Sequence, residues 1–210
     1  ALIGARHRGM VDLDALRGET LYECSFGDSR EVDDWVMEGY GVTRFDNGWM
    51  TLASSEPEDA HGHSVFWCPE DFPRDVMAEW EVQPLSEYGL CIVFIAARGI
   101  NGEDIFDTGL TEREGNFGLY TKGDINSYHM SYYANTPFNP GRVTCNMRKN
   151  SGFFLVDNGP PGIPAFSRDA YKVAVVKQNN HIQLAVDGHR IIDFVDDGSQ
   201  YGPVHGGGKI

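Results

Sequence analysis

Tyr171-Lys-Val-Ala-Val-Val-Lys-Gln178, His181-Ile-Gln-Leu-Ala-Val186 and His189-Arg-Ile-Ile-Asp-Phe194 are apolar runs of strand length separated only by Asn179-Asn180 and Asp187-Gly188. Asn and Gly tolerate positive φ, and Asp-Gly is a type I′ signature, so the runs read as strands joined by tight hairpins. The same punctuation recurs upstream, where Asn47-Gly48 closes the hairpin Phe45-Asp-Asn-Gly-Trp49. Working outward, period-two patterning predicts further strands at Leu21–Phe26, Gly41–Phe45, Trp49–Ser54, Ser64–Cys68, Val76–Val82, Gly89–Ala97, Phe117–Tyr120, Asn126–Ala134, Arg142–Lys149 and Phe153–Val156. Helical periodicity is confined to Arg6–Arg17, within an N-terminal segment 1–20, and to a turn within Asp28–Glu38. No linker, repeat or low-complexity stretch divides the chain, so 1–210 reads as one domain. Hairpins followed by long returns predict an all-β, two-sheet antiparallel jelly-roll sandwich. Sheets of that kind often curve and leave a concave face able to hold an extended ligand.

Composition agrees and removes some partners. Twelve Phe, nine Tyr and four Trp supply a core, and 25 Gly supply turns. Basic residues number 17 against 31 acidic ones, a net charge of −14. That balance opposes nucleic acid and anionic membrane surfaces, which both require clustered Lys and Arg. The longest apolar run, Leu90–Ala97, has the length of a strand and not of a membrane helix. Ala1–Arg8 lacks the apolar region of a signal peptide. Cys24, Cys68, Cys91 and Cys145 form no metal motif, and Cys91 and Cys145 fall inside strand patterns. They read as buried free thiols, which leans toward a reducing, cytoplasmic compartment.

Strand parity selects candidate site residues. In Arg142–Arg148 one face carries Arg142, Thr144, Asn146 and Arg148, the other Val143, Cys145 and Met147. In Ser127–Tyr133 the polar set is Ser127, His129, Ser131 and Tyr133, leaving Tyr128, Met130 and Tyr132 for the core. A face of His, Tyr, Arg and Asn is more typical of binding than the Lys, Glu and Thr of a plain solvated face, though pairing on that face is the competing reading. The assignment holds only while the strand carries no bulge.

Several stretches together resemble the bacterial YesU-like family of unknown function, within the concanavalin-like lectin and glucanase superfamily. They are Phe66-Trp-Cys-Pro-Glu-Asp-Phe-Pro73, Gly89–Ala97, Gly102-Glu-Asp-Ile-Phe-Asp107, Tyr128–Tyr133, Met147-Arg-Lys-Asn-Ser-Gly-Phe153 and Gly206-Gly-Gly-Lys-Ile210. The resemblance runs from about Leu21 to the C-terminus. It implies a jelly roll and a carbohydrate-related role, since relatives lie among pectin- and polysaccharide-degradation genes. Family chains continue past Gly-Lys-Ile into another strand with an Arg, so a closing strand and one site residue are expected beyond Ile210.

The leading expectation is a protein that binds or acts on an acidic saccharide, with a lyase-type elimination as its chemistry. A lyase needs a base, an acid and a cation to neutralise the uronate. Tyr133 and His129 form the candidate base/acid pair, expected on one face of the strand. Arg148 is the candidate cation, and Arg142, Asn146, Ser131, Asp107 and His205 are candidate substrate contacts. The competing readings are a hydrogen-bonded structural His129, a Tyr133 stacking platform and an ion-paired Arg148. The rival functions are a non-catalytic carbohydrate-binding module and a purely structural interaction protein. Glu79 and Glu81 share a strand face at the spacing of glycosidase carboxylates, but lack a third acid and read better as solvated. No cofactor is expected; Ca²⁺ held by Glu103, Asp104 and Asp107 is the one candidate ion, although their spacing is not that of an EF-hand. His61-Gly-His63 lacks a third zinc ligand.

Overall fold

The computed structural model describes residues 8–56 and 62–210. The three opening runs form β10 (Tyr171–Gln178), β11 (His181–Val186) and β12 (His189–Val195). With β5 (Val76–Val82) they make an antiparallel sheet in the order β12-β11-β10-β5. Asn179 and Asp187 take φ of 55° and 48°, the left-handed turn geometry that their residue types favour. The second sheet, in the order β6-β7-β8-β9, comprises β6 (Gly89–Gly99), β7 (Ile125–Asn135), β8 (Cys145–Asn150) and β9 (Phe154–Gly159). Two small ladders complete the strands: the hairpin of β2 (Gly41–Asp46) with β3 (Trp49–Ser54), and β1 (Val36–Gly39) with β4 (Ser64–Trp67). The protein is an all-β sandwich of two antiparallel sheets.

The main core draws Val93, Ile95, Tyr128, Met130, Cys145 and Met147 from one sheet, and Val173, Val175, Ile182, Leu184 and Ile192 from the other. Burial of these apolar faces, at roughly 25 cal/mol per Å², holds the sheets together. A smaller cluster lies on the opposite, outer face of β6 and β7, where Phe94 and Ile125 meet Trp67, Ile105 and Tyr120. A buried Arg113 guanidinium ties that layer down, bonding both oxygens of Glu38 and the Ile105 carbonyl. Cys24, Cys68, Cys91 and Cys145 are all free thiols. No helix among the described residues is long and apolar enough to cross a membrane.

Several elements differ from the sequence reading. Leu21–Phe26 is not a strand; Tyr22 and Phe26 instead pack their rings on Trp35. Phe117–Tyr120 belongs to a helix, α2 (Phe117–Thr121), because the Asn116 side chain caps the Gly118 amide and a four-residue run shows no periodicity that separates helix from strand. The helix expected over Arg6–Arg17 shrinks to α1 (Leu13–Leu16), capped by Asp12, with residues 6 and 7 outside the described set. Ser29–Val32 is a 3-10 turn that leads into the unforeseen β1. The strand expected from Arg142 begins only at Cys145, so Val143 is 72% exposed and not in the core.

The largest correction concerns β7. Cys91 pairs with Tyr133 but Ile92 pairs with Ser131, so Tyr132 is an extra residue, a β-bulge. Beyond it, Tyr132 packs edge-on to Trp80 at 5.5 Å and Tyr133 joins the core at 2% exposure. The two consecutive tyrosines therefore pack on the same side. Parity survives for Tyr128 and Met130 in the core, and for His129 on the outer face opposite Phe94 and Arg148.

Candidate functional site

Register builds the site. Phe94, His129, Arg148 and Leu155 stand directly opposite one another across β6, β7, β8 and β9. Directly opposed residues on adjacent strands share a face, so this row lies on the outer face. Ser127 pairs with Asn150 on one side of it, and Asn146 pairs with Asn158 on the other.

His129 is roofed by rings. Phe94 lies 5.3 Å away, Phe117 of α2 6.0 Å, and Phe153 from the β8–β9 turn 5.8 Å. Only 4% of the residue is exposed. Burial pushes its pKa down to about 3, with the Arg148 charge acting in the same direction. The Asn150 amide nitrogen lies 3.0 Å from Nδ1 and 2.9 Å from Ser127 Oγ. An amide nitrogen only donates, so Nδ1 accepts and the ring proton sits on Nε2. His129 is therefore a neutral imidazole whose lone pair is engaged by Asn150, an arrangement that does not suit proton transfer to or from a substrate.

Tyr133 does not join it. Its hydroxyl donates to the Glu87 carbonyl at 3.1 Å inside the core, so the expected base and acid lie on opposite faces of the sheet. Ser131 is also buried, and its Oγ accepts from the Asn146 amide at 3.1 Å, closing the ladder where the bulge interrupts it. His205 packs against Tyr128 at 4.7 Å with the rings tilted by 46°, and donates Nε2–H to the Asn150 carbonyl at 2.7 Å, so it sits on the core side of the sheet. Burial pushes its pKa down to about 4.

Of Arg142, Asn146 and Arg148, Arg148 belongs to the row, Asn146 lies two residues before it on β8, and Arg142 lies just before the strand. Arg148 lays its guanidinium 3.7 Å over the Phe153 ring and donates Nη1 to the Phe153 carbonyl at 2.8 Å. Arg142, half-buried just before β8, has only a long 3.4 Å bond from Nε to Thr144 Oγ1, while its Nη2 is buried without a partner. Burial pushes the Arg148 pKa down and the Arg142 charge adds to the effect, so the two guanidiniums feel one another. Neither has a carboxylate ion-pair partner among the described residues. Asn146 lies between them in sequence, on β8 with Arg148. Lys122 adds a third cation, 5.9 Å from the Phe153 ring.

The acidic loop stands apart from these residues. Glu103 accepts from Asn101, Asp104 bonds the Phe106 amide and pairs with Lys209 at 3.2 Å, and Asp107 caps the Gly109 amide at 2.7 Å. No group of three His, Cys, Asp or Glu side chains among the described residues is placed to hold a metal ion. His61 lies outside the described residues, and His63 packs near Phe117 at 6.2 Å. Glu79 bonds the Arg17 guanidinium, and both Glu79 and Glu81 are exposed. Cavities of about 220 and 340 Å³ lie around Tyr201 and His205, and neither is lined by Arg142, Asn146 or Arg148.

Residues 19–210 match the family model described as Domain of unknown function (DUF1961). The chain belongs to that family. The uncharacterized protein YesU of Bacillus subtilis (strain 168) is 38% identical over 196 residues, covering 92% of this chain and 88% of its own. A crystal structure of a protein of unknown function with a galectin-like fold, from Bacillus subtilis, superposes with a TM-score of 0.86 at 37% identity over 91% of this chain and 87% of that one. The DUF1961 chain therefore has a galectin-like fold, consistent with the concanavalin-like superfamily. A prokaryotic β-1,3-1,4-glucanase (lichenase) derived from a mouse hindgut metagenome aligns at a TM-score of 0.46 and 13% identity, over 83% of this chain and 76% of its own. At that score it adds nothing to the assignment.

Sequence reasoning missed Phe153, Phe117, Lys122 and Asn150. Phe153 and Asn150 lie inside the quoted Met147–Phe153 stretch, but a turn has no periodicity to show where a ring points. The one available signal was Gly152 before two aromatics, a sharp turn that returns a ring over the strand it follows.

Proposed function

We propose that this protein binds an acidic saccharide on the outer face of the β6–β9 sheet, with Arg142 and Arg148 holding its carboxylate and Asn146 bonding a neighbouring hydroxyl. The observation that carries the reading is the Arg148 guanidinium, held over the Phe153 ring with N–H groups that have no partner among the described residues, beside the poorly bonded Arg142. A planar carboxylate satisfies such donors two at a time and cancels their repulsion. The galectin-like fold of the Bacillus subtilis relative supports a sugar as the carrier of that carboxylate. The separation of Tyr133 from His129, and the neutral state of His129, favour binding without elimination. The protein accordingly acts as a non-catalytic carbohydrate-binding module, with lyase chemistry as the rival function.

Calorimetry with oligogalacturonate and oligomannuronate against neutral oligosaccharides of equal length tests this. Saturable binding of an acidic oligomer, lost in Arg142→Gln and Arg148→Gln, is expected. Equal binding of neutral and acidic oligomers would overturn it. An absorbance of unsaturated uronate growing with time would restore the lyase.

A further inference from the structure

We infer that Phe153 is the positioning residue of this anionic subsite, fixing the plane of the Arg148 guanidinium so that it selects a carboxylate over its neutral ester. The inference rests on the binding reading above and deepens it. Phe153 meets Arg148 twice, with its ring 3.7 Å beneath the guanidinium and its carbonyl accepting Nη1–H at 2.8 Å. The first contact fixes the plane and the second fixes rotation within it. The remaining N–H groups of Arg148 have no protein partner among the described residues, and a fork held this way can present two parallel donors to a carboxylate.

The ring is itself held from behind. His129 stacks on it at 5.8 Å with 26° between planes, and Phe117 meets it edge-on at 5.7 Å. Phe153 keeps this place at φ 59°, in the left-handed region that Gly or Asn adopts with less strain. Its ring contacts offset that strain. An imidazolium at His129 would set a second cation beside Arg148, but burial keeps the imidazole neutral at ordinary pH. The other charged groups facing the ring are Lys122 and, through Arg148, Arg142.

The test is calorimetric, with trigalacturonate and its methyl ester as probes, on the wild type, Phe153→Leu and Phe153→Tyr. Phe153→Leu should weaken trigalacturonate about tenfold and leave the ester within about twofold, so that the acid preference collapses. Phe153→Tyr restores the ring and should keep the preference within about threefold. Equal weakening of both probes in Phe153→Leu would mark a merely structural role and overturn the inference, as would an unchanged preference. Should Phe153→Leu not fold, Arg148→Lys decides. An ammonium keeps the charge but has no plane to be fixed, so it should lose the preference, and retention would overturn the inference. A wild type that treats acid and ester alike removes the binding reading itself, and this inference with it; loss confined to Phe153→Leu with a retained ester affinity supports both.

Discussion

Arg142 carries a guanidinium that the fold leaves poorly satisfied: half-buried, repelled by Arg148, with Nη2 buried and unbonded. A buried donor without a partner costs on the order of 1–3 kcal/mol. Arg142→Met keeps the aliphatic stem and removes both penalties. It should raise stability by about 1 kcal/mol, or about 2–4 °C in melting temperature at this chain length, while abolishing acidic-saccharide binding. A fall in melting temperature would show that Arg142 is a structural residue. His129 makes a pH prediction. Its imidazole titrates near 3 in the folded protein against a usual 6.5, so between those values the unfolded chain binds more protons. Stability is then lost as pH falls from about 6.5 toward 3, by an amount on the order of a few kcal/mol. His205, held near 4 by burial, contributes in the same direction. His129→Asn keeps an acceptor for Asn150 and should flatten, without abolishing, the stability–pH curve in that window; urea midpoints from pH 7 to 4 measure it.

Elements explain why part of the site was legible in the sequence and part was not. Period-two alternation placed the core of β7 and β8 correctly as far as Met130 and from Cys145, because each side of the sheet is buried against a different partner and a slip would expose an apolar row. Met147 accordingly sits fully buried between the sheets. Met147→Ala should cost roughly 2–5 kcal/mol in denaturant unfolding. Alternation failed at Tyr132, since a bulge is set by what the neighbouring strand offers and leaves no mark in the period. That one residue moved Tyr133 from the expected site into the core and broke up the base/acid pair of the expected elimination. It failed again at Phe117, where capping by Asn116 outweighed a short strand-like run. α2, which carries Phe117 of the roof, packs against a distant pair: Glu38 on β1 holds Arg113, whose guanidinium lies 5.8 Å from the ring of Tyr120 on α2, and Glu38 also accepts from Trp67 Nε1 at 3.1 Å. Glu38→Gln leaves a buried guanidinium without its counter-charge and should cost about 3–5 kcal/mol. A cost under 1 kcal/mol would show that α2 is held by other contacts.

At the scale of the whole molecule, a −14 chain sets Arg148 and Lys122 over one ring, with the Arg142 charge acting on Arg148, and none of the three has a carboxylate ion-pair partner among the described residues. The surrounding field repels polyanions at distances beyond about one Debye length, roughly 10 Å at 0.1 M salt. Short acidic oligosaccharides should therefore associate faster than long polymers at low salt, and added salt should speed the polymer. Stopped-flow association rates that fall with salt for polygalacturonate would contradict this. The sandwich was legible from turns and alternation throughout the chain, but which face binds required the register that aligns Phe94, His129, Arg148 and Leu155. The most direct test of the central claim is nuclear magnetic resonance of the arginine Nε–Hε signals during titration with trigalacturonate. Saturable shifts of Arg142 and Arg148, absent with the methyl ester, are predicted. Binding that leaves both signals unmoved while other residues shift would contradict the account.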